Sequence, residues 1–95
     1  MRPTVHPTAV RYPDVIIGNG TIVHEFAVLG KPYRPVSGAP FRERRYTKVG
    51  MECYVGSHTT IGKGSVIEAG CIVDDYVKIE SNVTVRQGCL IIYSA

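Results

Sequence analysis

Residues 49–91 read VGMECYVGSHTTIGKGSVIEAGCIVDDYVKIESNVTVRQGCLI, and an aliphatic residue returns there at every sixth place: Val49, Val55, Ile61, Ile67, Val73, Ile79, Val85 and Ile91. A second inward-looking set sits two places before each later member: Cys53, Thr59, Ser65, Cys71, Val77, Val83 and Cys89, most of them small. Amphipathic helices repeat at about 3.6 residues and half-buried strands at 2, so a period of six belongs to neither. It is the period of a β-helix, in which short strands joined by tight corners stack coil upon coil.

The frame already runs in the N-terminal third, through Val5, Arg11, Ile17, Val23 and Leu29. Arg11 is the one polar member, as suits a terminal coil whose interior stays partly open to water. Pro3, Pro7 and Pro13 fall where ladder donors are expendable. Gly18-Asn19-Gly20, Gly56-Ser57, Gly62-Lys63-Gly64, Gly70, Ser81-Asn82 and Gly88 mark corners, since Gly and Asn tolerate the positive φ of tight turns. The frame breaks once. Leu29 to Val49 spans 20 residues, one hexad plus 14. The extra segment, 35–48, reads PVSGAPFRERRYTK, and its Gly, two Pro and four cations describe a loop extruded from one corner. Following the phase through it places His24 and His58 near one corner, on adjacent coils.

Ninety-five residues make a single domain, 1–95. The formal charge is +3 and the pI about 8.9, too mild and too dispersed for a nucleic-acid footprint. No apolar run approaches the roughly 20 residues of a membrane span, and the N-terminus has no charged-then-apolar leader; a cytoplasmic protein is expected. Three cysteines are an odd number for a disulfide framework. Cys53, Cys71 and Cys89 are 18 apart, one coil each, which reads as an interior ladder of small side chains. The repeat stops at Ile91 with nothing to cover the last coil, so either the chain is part of something longer or a partner covers that end.

The hexads VGSHTT, IGKGSV, IEAGCI and VDDYVK, residues 55–78, resemble the hexapeptide-repeat acyltransferase superfamily. That resemblance implies an all-β, left-handed parallel β-helix, here of about four coils with one protruding loop, assembled as a homotrimer. The opening VHPTAV and the run from His24 to Gly50 resemble the UDP-N-acetylglucosamine acyltransferases and their relatives, though this chain is C-terminally short of the coil in which those enzymes keep their catalytic histidine. Residues 48–70 resemble the small maltose- and xenobiotic-type acetyltransferases, whose catalytic histidine lies in or just before the extruded loop; here the loop has none.

The resemblance implies transfer of an acetyl or acyl group from acyl-coenzyme A or acyl-carrier protein, as co-substrate, to a sugar or nucleotide-sugar acceptor. Such a transfer needs a general base and an oxyanion donor. His58 is the first candidate base and His24 the second, with corner glycine N–H groups as oxyanion donors; the plain alternative for each histidine is an exposed turn residue. Arg42, Arg44, Arg45 and Lys48, with Arg34, form a basic set suited to the phosphates of a coenzyme or nucleotide sugar; the plain alternative is a solvated loop. Tyr33, Phe41 and Tyr46 would pack that loop or stack on a ligand. No metal is expected. A γ-class carbonic anhydrase likeness would align His24 and His58 with zinc ligands but meets Lys63 where a third histidine belongs. A non-catalytic trimeric scaffold, or the remnant of an enzyme, is the rival reading.

Overall fold

In the computed structural model, which describes residues 1–32 and 42–92, the in-frame aliphatic residues line the interior of a three-sided prism. Thirteen short strands form it: β1 (Thr4–Val5), β2 (Val10–Arg11), β3 (Val15–Ile17), β4 (Ile22–Val23), β5 (Val28–Lys31), β6 (Thr47–Val49), β7 (Tyr54–Val55), β8 (Thr60–Gly62), β9 (Val66–Ile67), β10 (Ile72–Val73), β11 (Lys78–Ile79), β12 (Thr84–Val85) and β13 (Leu90–Ile91). They sort into three parallel sheets, β1-β4-β7-β10-β13, β2-β5-β8-β11 and β3-β6-β9-β12. The fold is an all-β, left-handed parallel β-helix of four coils, with β13 beginning a fifth. No helix among the described residues is long and apolar enough to cross a membrane.

Register carries the sequence count directly into space. Ile72 pairs with Leu90 and with Tyr54, each 18 residues away. Ile22 pairs with Tyr54 across 32 residues, and 32 less 18 leaves the 14 of the insertion. The insertion lies between β5, which ends at Lys31, and β6, which begins at Thr47. Thr47 and Lys48, read from the sequence as the end of the loop, are strand residues: Thr47 lies opposite Val15, and Lys48 between Ile16 and Val66. Thr47 is buried. The rest of segment 35–48 up to Phe41, with Tyr33 and Arg34, lies outside the described residues.

Val23, Leu29, Val49, Val55, Ile61, Ile67 and Val73 are the fully buried spine, each contributing about 1.5–3 kcal/mol by removing an aliphatic side chain from water. Arg11 is exposed, and its guanidinium donates to the Val15 carbonyl at 2.8 Å. The small inward set does more than fill space. Thr59 donates to the Asp74 carbonyl (2.6 Å), Ser65 to Glu80 (2.6 Å), Cys53 to Glu68 (3.2 Å) and Cys71 to Arg86 (2.9 Å). Each bond runs 15 residues forward into the next coil, and Thr21 makes the same one to Gly50 across the insertion (2.6 Å). Cys53 and Cys71 are buried, as the interior ladder requires; Cys89 and Val83 are exposed, because no further coil covers them among the described residues.

The outward face of the first sheet is the most apolar. Ile22, Tyr54, Ile72 and Leu90 stand in register on it, and the three aliphatic members are 43%, 46% and 62% exposed. The other two sheets mix apolar and polar residues at comparable places, Val10, Val28, Thr60 and Lys78 on one and Ile16, Lys48, Val66 and Thr84 on the other.

Candidate functional site

Ten corners turn on a residue with positive φ, and along the chain these fall six apart: Asp14 and Gly20, then Phe26, then Glu52, His58, Gly64, Gly70, Tyr76, Asn82 and Gly88, with the insertion between Phe26 and Glu52; Gly30, at the end of β5, has positive φ outside this spacing. The first corner, joining the first sheet to the second, is the odd one. Its left-handed positions hold Phe26 (φ 59°), His58 (φ 57°) and Tyr76 (φ 59°), although bulky side chains avoid that conformation. Stacking offsets the cost. The His58 ring lies between Phe26 (centroids 5.0 Å) and Tyr76 (4.9 Å, interplanar angle 8°). The sandwich fixes the imidazole plane, and neither ring nitrogen of His58 is hydrogen-bonded among the described residues. A neutral imidazole so placed retains a lone pair for proton abstraction.

His24 lies on the same corner one coil earlier, as the phase count predicts, but its ring meets Tyr54 (4.9 Å) rather than His58. Glu25, the next residue, accepts a hydrogen bond from Ser57 Oγ. That bond, assisted by the nearby His24 and His6, holds the Glu25 carboxyl below its usual range. Burial, then Asp75, Asp74 and Glu25, push the Tyr54 phenol up. The corner therefore carries carboxylates on two coils, Glu25 on one and Asp74 and Asp75 on another, with the histidine rings between and beside them.

The N–H groups of the corner at His58 are engaged. Gly56 N–H donates to the Val73 carbonyl (2.8 Å), Ser57 N–H to Asp75 Oδ1 (2.8 Å) and His58 N–H to the Glu25 carbonyl (3.1 Å). An oxyanion donor must come from elsewhere.

The basic set is on a different edge. Arg42, Arg44 and Arg45 lie along the second corner, and Lys48 is on the outward face of β6 in the third sheet. Within one protomer the second sheet separates them from both histidines. Arg44 is the most engaged: its Nη1 donates to the Gly64 carbonyl and to Thr84 Oγ1, each at 3.3 Å. Arg45 pairs loosely with Asp14 (3.8 Å) and lies over the Tyr46 ring (5.2 Å). Lys63 is on this second corner too, so it does not stand beside His58. No group of three or more His, Cys, Asp or Glu side chains is placed to hold a metal ion among the described residues.

Residues 52–87 match the family model described as bacterial transferase hexapeptide (six repeats). This stretch is similar to the hexapeptide repeat of bacterial transferases. The hexapeptide match begins just before Cys53 and contains His58, Tyr76 and the second-corner glycines. No curated protein matches the chain.

Sequence reasoning missed Phe26, Tyr76 and Asn82 as participants. The fourth place of each hexad, counted like the first, would have revealed an aromatic at that place on three consecutive coils of one corner.

Proposed function

We propose that this chain is an acyltransferase-like hexapeptide-repeat protein of the cytoplasm, moving an acetyl or acyl group from acyl-coenzyme A or acyl-carrier protein to a sugar or nucleotide-sugar acceptor. The observation that carries the reading is the exposed His58 residue, its ring held in an aromatic sandwich within the repeat that matches bacterial transferases. In the transfer, His58 takes the proton of the acceptor hydroxyl or amine as that atom attacks the thioester carbonyl. The carbon–sulfur bond then breaks and the imidazolium returns the proton to the departing thiolate. His24 is the second candidate for this task. Arg42, Arg45 and Lys48 are the proposed partners of the donor's phosphates; Arg44, the remaining member of the basic set, has its guanidinium turned onto Gly64 and Thr84.

Two features support assembly of copies around the chemistry. The in-register stripe of Ile22, Tyr54, Ile72 and Leu90 is an apolar face of the kind that subunits cover, and hexapeptide-repeat proteins are often trimers. A neighbouring copy would also supply the anion-binding side chains and oxyanion donor that the first corner lacks. The same lack favours a second reading, a non-catalytic trimeric scaffold. Light scattering and calorimetric titration with acetyl-coenzyme A separate the two. A trimer that binds the coenzyme, with His58→Ala abolishing turnover but not binding, supports the enzyme. A trimer with no binding at millimolar ligand supports the scaffold. A monomer, unchanged in mass by Ile72→Glu, removes both.

A further inference from the structure

The second corner holds an arrangement that the repeat does not require. The returning limb of the insertion does not come straight back to its own coil. At Arg42–Arg44 it lies against the corner of the fourth coil, two coils away from the strand it is about to join. Asn82 grips it there with both ends of its amide: Oδ1 accepts the Arg44 N–H at 2.8 Å, and Nδ2 donates to the Arg42 carbonyl at 2.8 Å. Ser81 adds a bond from its hydroxyl to Glu43 Oε2 (3.2 Å). The limb then climbs past Gly64, where a side chain would collide with it: a Cβ there would lie 2.8 Å from the Arg44 nitrogen and 3.0 Å from Arg44 Cβ. It finishes against the first coil, with Thr47 N–H on the Asp14 carbonyl (3.0 Å).

We propose that Asn82 is the positioning residue for this limb, a side-chain latch that sets where the insertion's cations stand, and that Arg44 is a rivet of the latch rather than a ligand-binding arginine. The Arg44 guanidinium is turned back onto Gly64 and Thr84. The cations left facing solvent are Arg42, Lys48 and Arg45, whose Asp14 pairing is long and exposed. An amide is the side chain for this duty because it offers an acceptor and a donor side by side, matching the alternating N–H and C=O of an extended strand. Asn also tolerates the left-handed backbone at position 82 (φ 59°). The division of labour among the arginines rests on the phosphate-binding reading given above; the latch does not.

Amide hydrogen exchange on the ligand-free protein tests the latch, using variants that separate side chain from backbone. Asn82→Gly keeps the left-handed turn and removes only the amide; it is expected to speed exchange at the Arg44 N–H on the order of tenfold. Buried amides of the prism, such as those of Ile61 and Val73, should be unaffected. Asn82→Asp retains the acceptor for Arg44 and loses the donor to Arg42, so Arg44 protection is expected to be rescued. Unchanged Arg44 exchange in the Gly variant, equal acceleration throughout the prism, or no rescue by Asp would each overturn the latch. Coenzyme A titration addresses the arginines: weaker binding in Asn82→Gly and in Arg42→Ala supports their assignment. No binding by the parent protein would overturn that assignment while leaving the exchange result decisive for the latch.

Discussion

His58 gains its orientation from two neighbours that are themselves in an unfavourable backbone state. An aromatic residue in the left-handed region costs about 1–2 kcal/mol, and an aromatic pair returns about 0.5–1.5 kcal/mol, so the ladder at the first corner is close to balanced. This sets an unusual order for substitutions at Tyr76, which is 62% exposed. Tyr76→Ala keeps the strain and loses the stacking with His58; Tyr76→Gly loses both. Chemical denaturation is expected to find the Gly variant more stable than the Ala variant by about 1 kcal/mol, the reverse of the usual ranking in a helix. Equal stabilities would mean that the corner carries no strain at that position.

The coil is held by its sheets and by the small residues of its corners. Thr59 shows what the latter contribute: its buried hydroxyl donates to the part-buried Asp74 carbonyl (2.6 Å) and accepts the buried Val77 N–H (3.3 Å). Thr59→Val has the right shape and the wrong chemistry, leaving a buried N–H and a part-buried carbonyl without that partner. The expected loss is about 1–3 kcal/mol, measured by urea unfolding; a neutral result would assign the position to packing alone. This element was half legible in the sequence. The six-residue period exposed which residues turn inward, because burial of one face imposes a regular spacing on any stack. It did not expose the donor role of Thr59, Ser65 or Cys71, since that depends on which carbonyl of the next coil lies opposite. The same limit applies to the site. Counting brought His24 and His58 to one corner, but their partners, Tyr54 for one and Phe26 and Tyr76 for the other, are set by contacts between coils. The path of the 42–46 limb was legible least of all: Asn82 is 38 residues beyond Arg44 and signals only a turn.

Across the whole molecule the three thiols sit in equivalent places yet differ in access. Cys53 and Cys71 are enclosed, and burial pushes the Cys53 thiol up, away from the reactive thiolate. Cys89 is exposed. Titration with a thiol reagent under native conditions is therefore expected to modify Cys89 first, with the other two released only on denaturation. Rapid modification of all three would contradict the closed interior.

The limb gripped by Asn82 also changes how such a stack comes apart. Coils joined only to their neighbours are coupled like beads in a row, and a row loses members from its ends one at a time. The limb runs from Asn82 on the fourth coil past Gly64 on the third to Asp14 on the first. It closes the row into a circuit, so the fourth coil cannot lift away without also loosening the insertion and its hold on the first. Melting of this prism is then a joint event rather than a sequence of small ones.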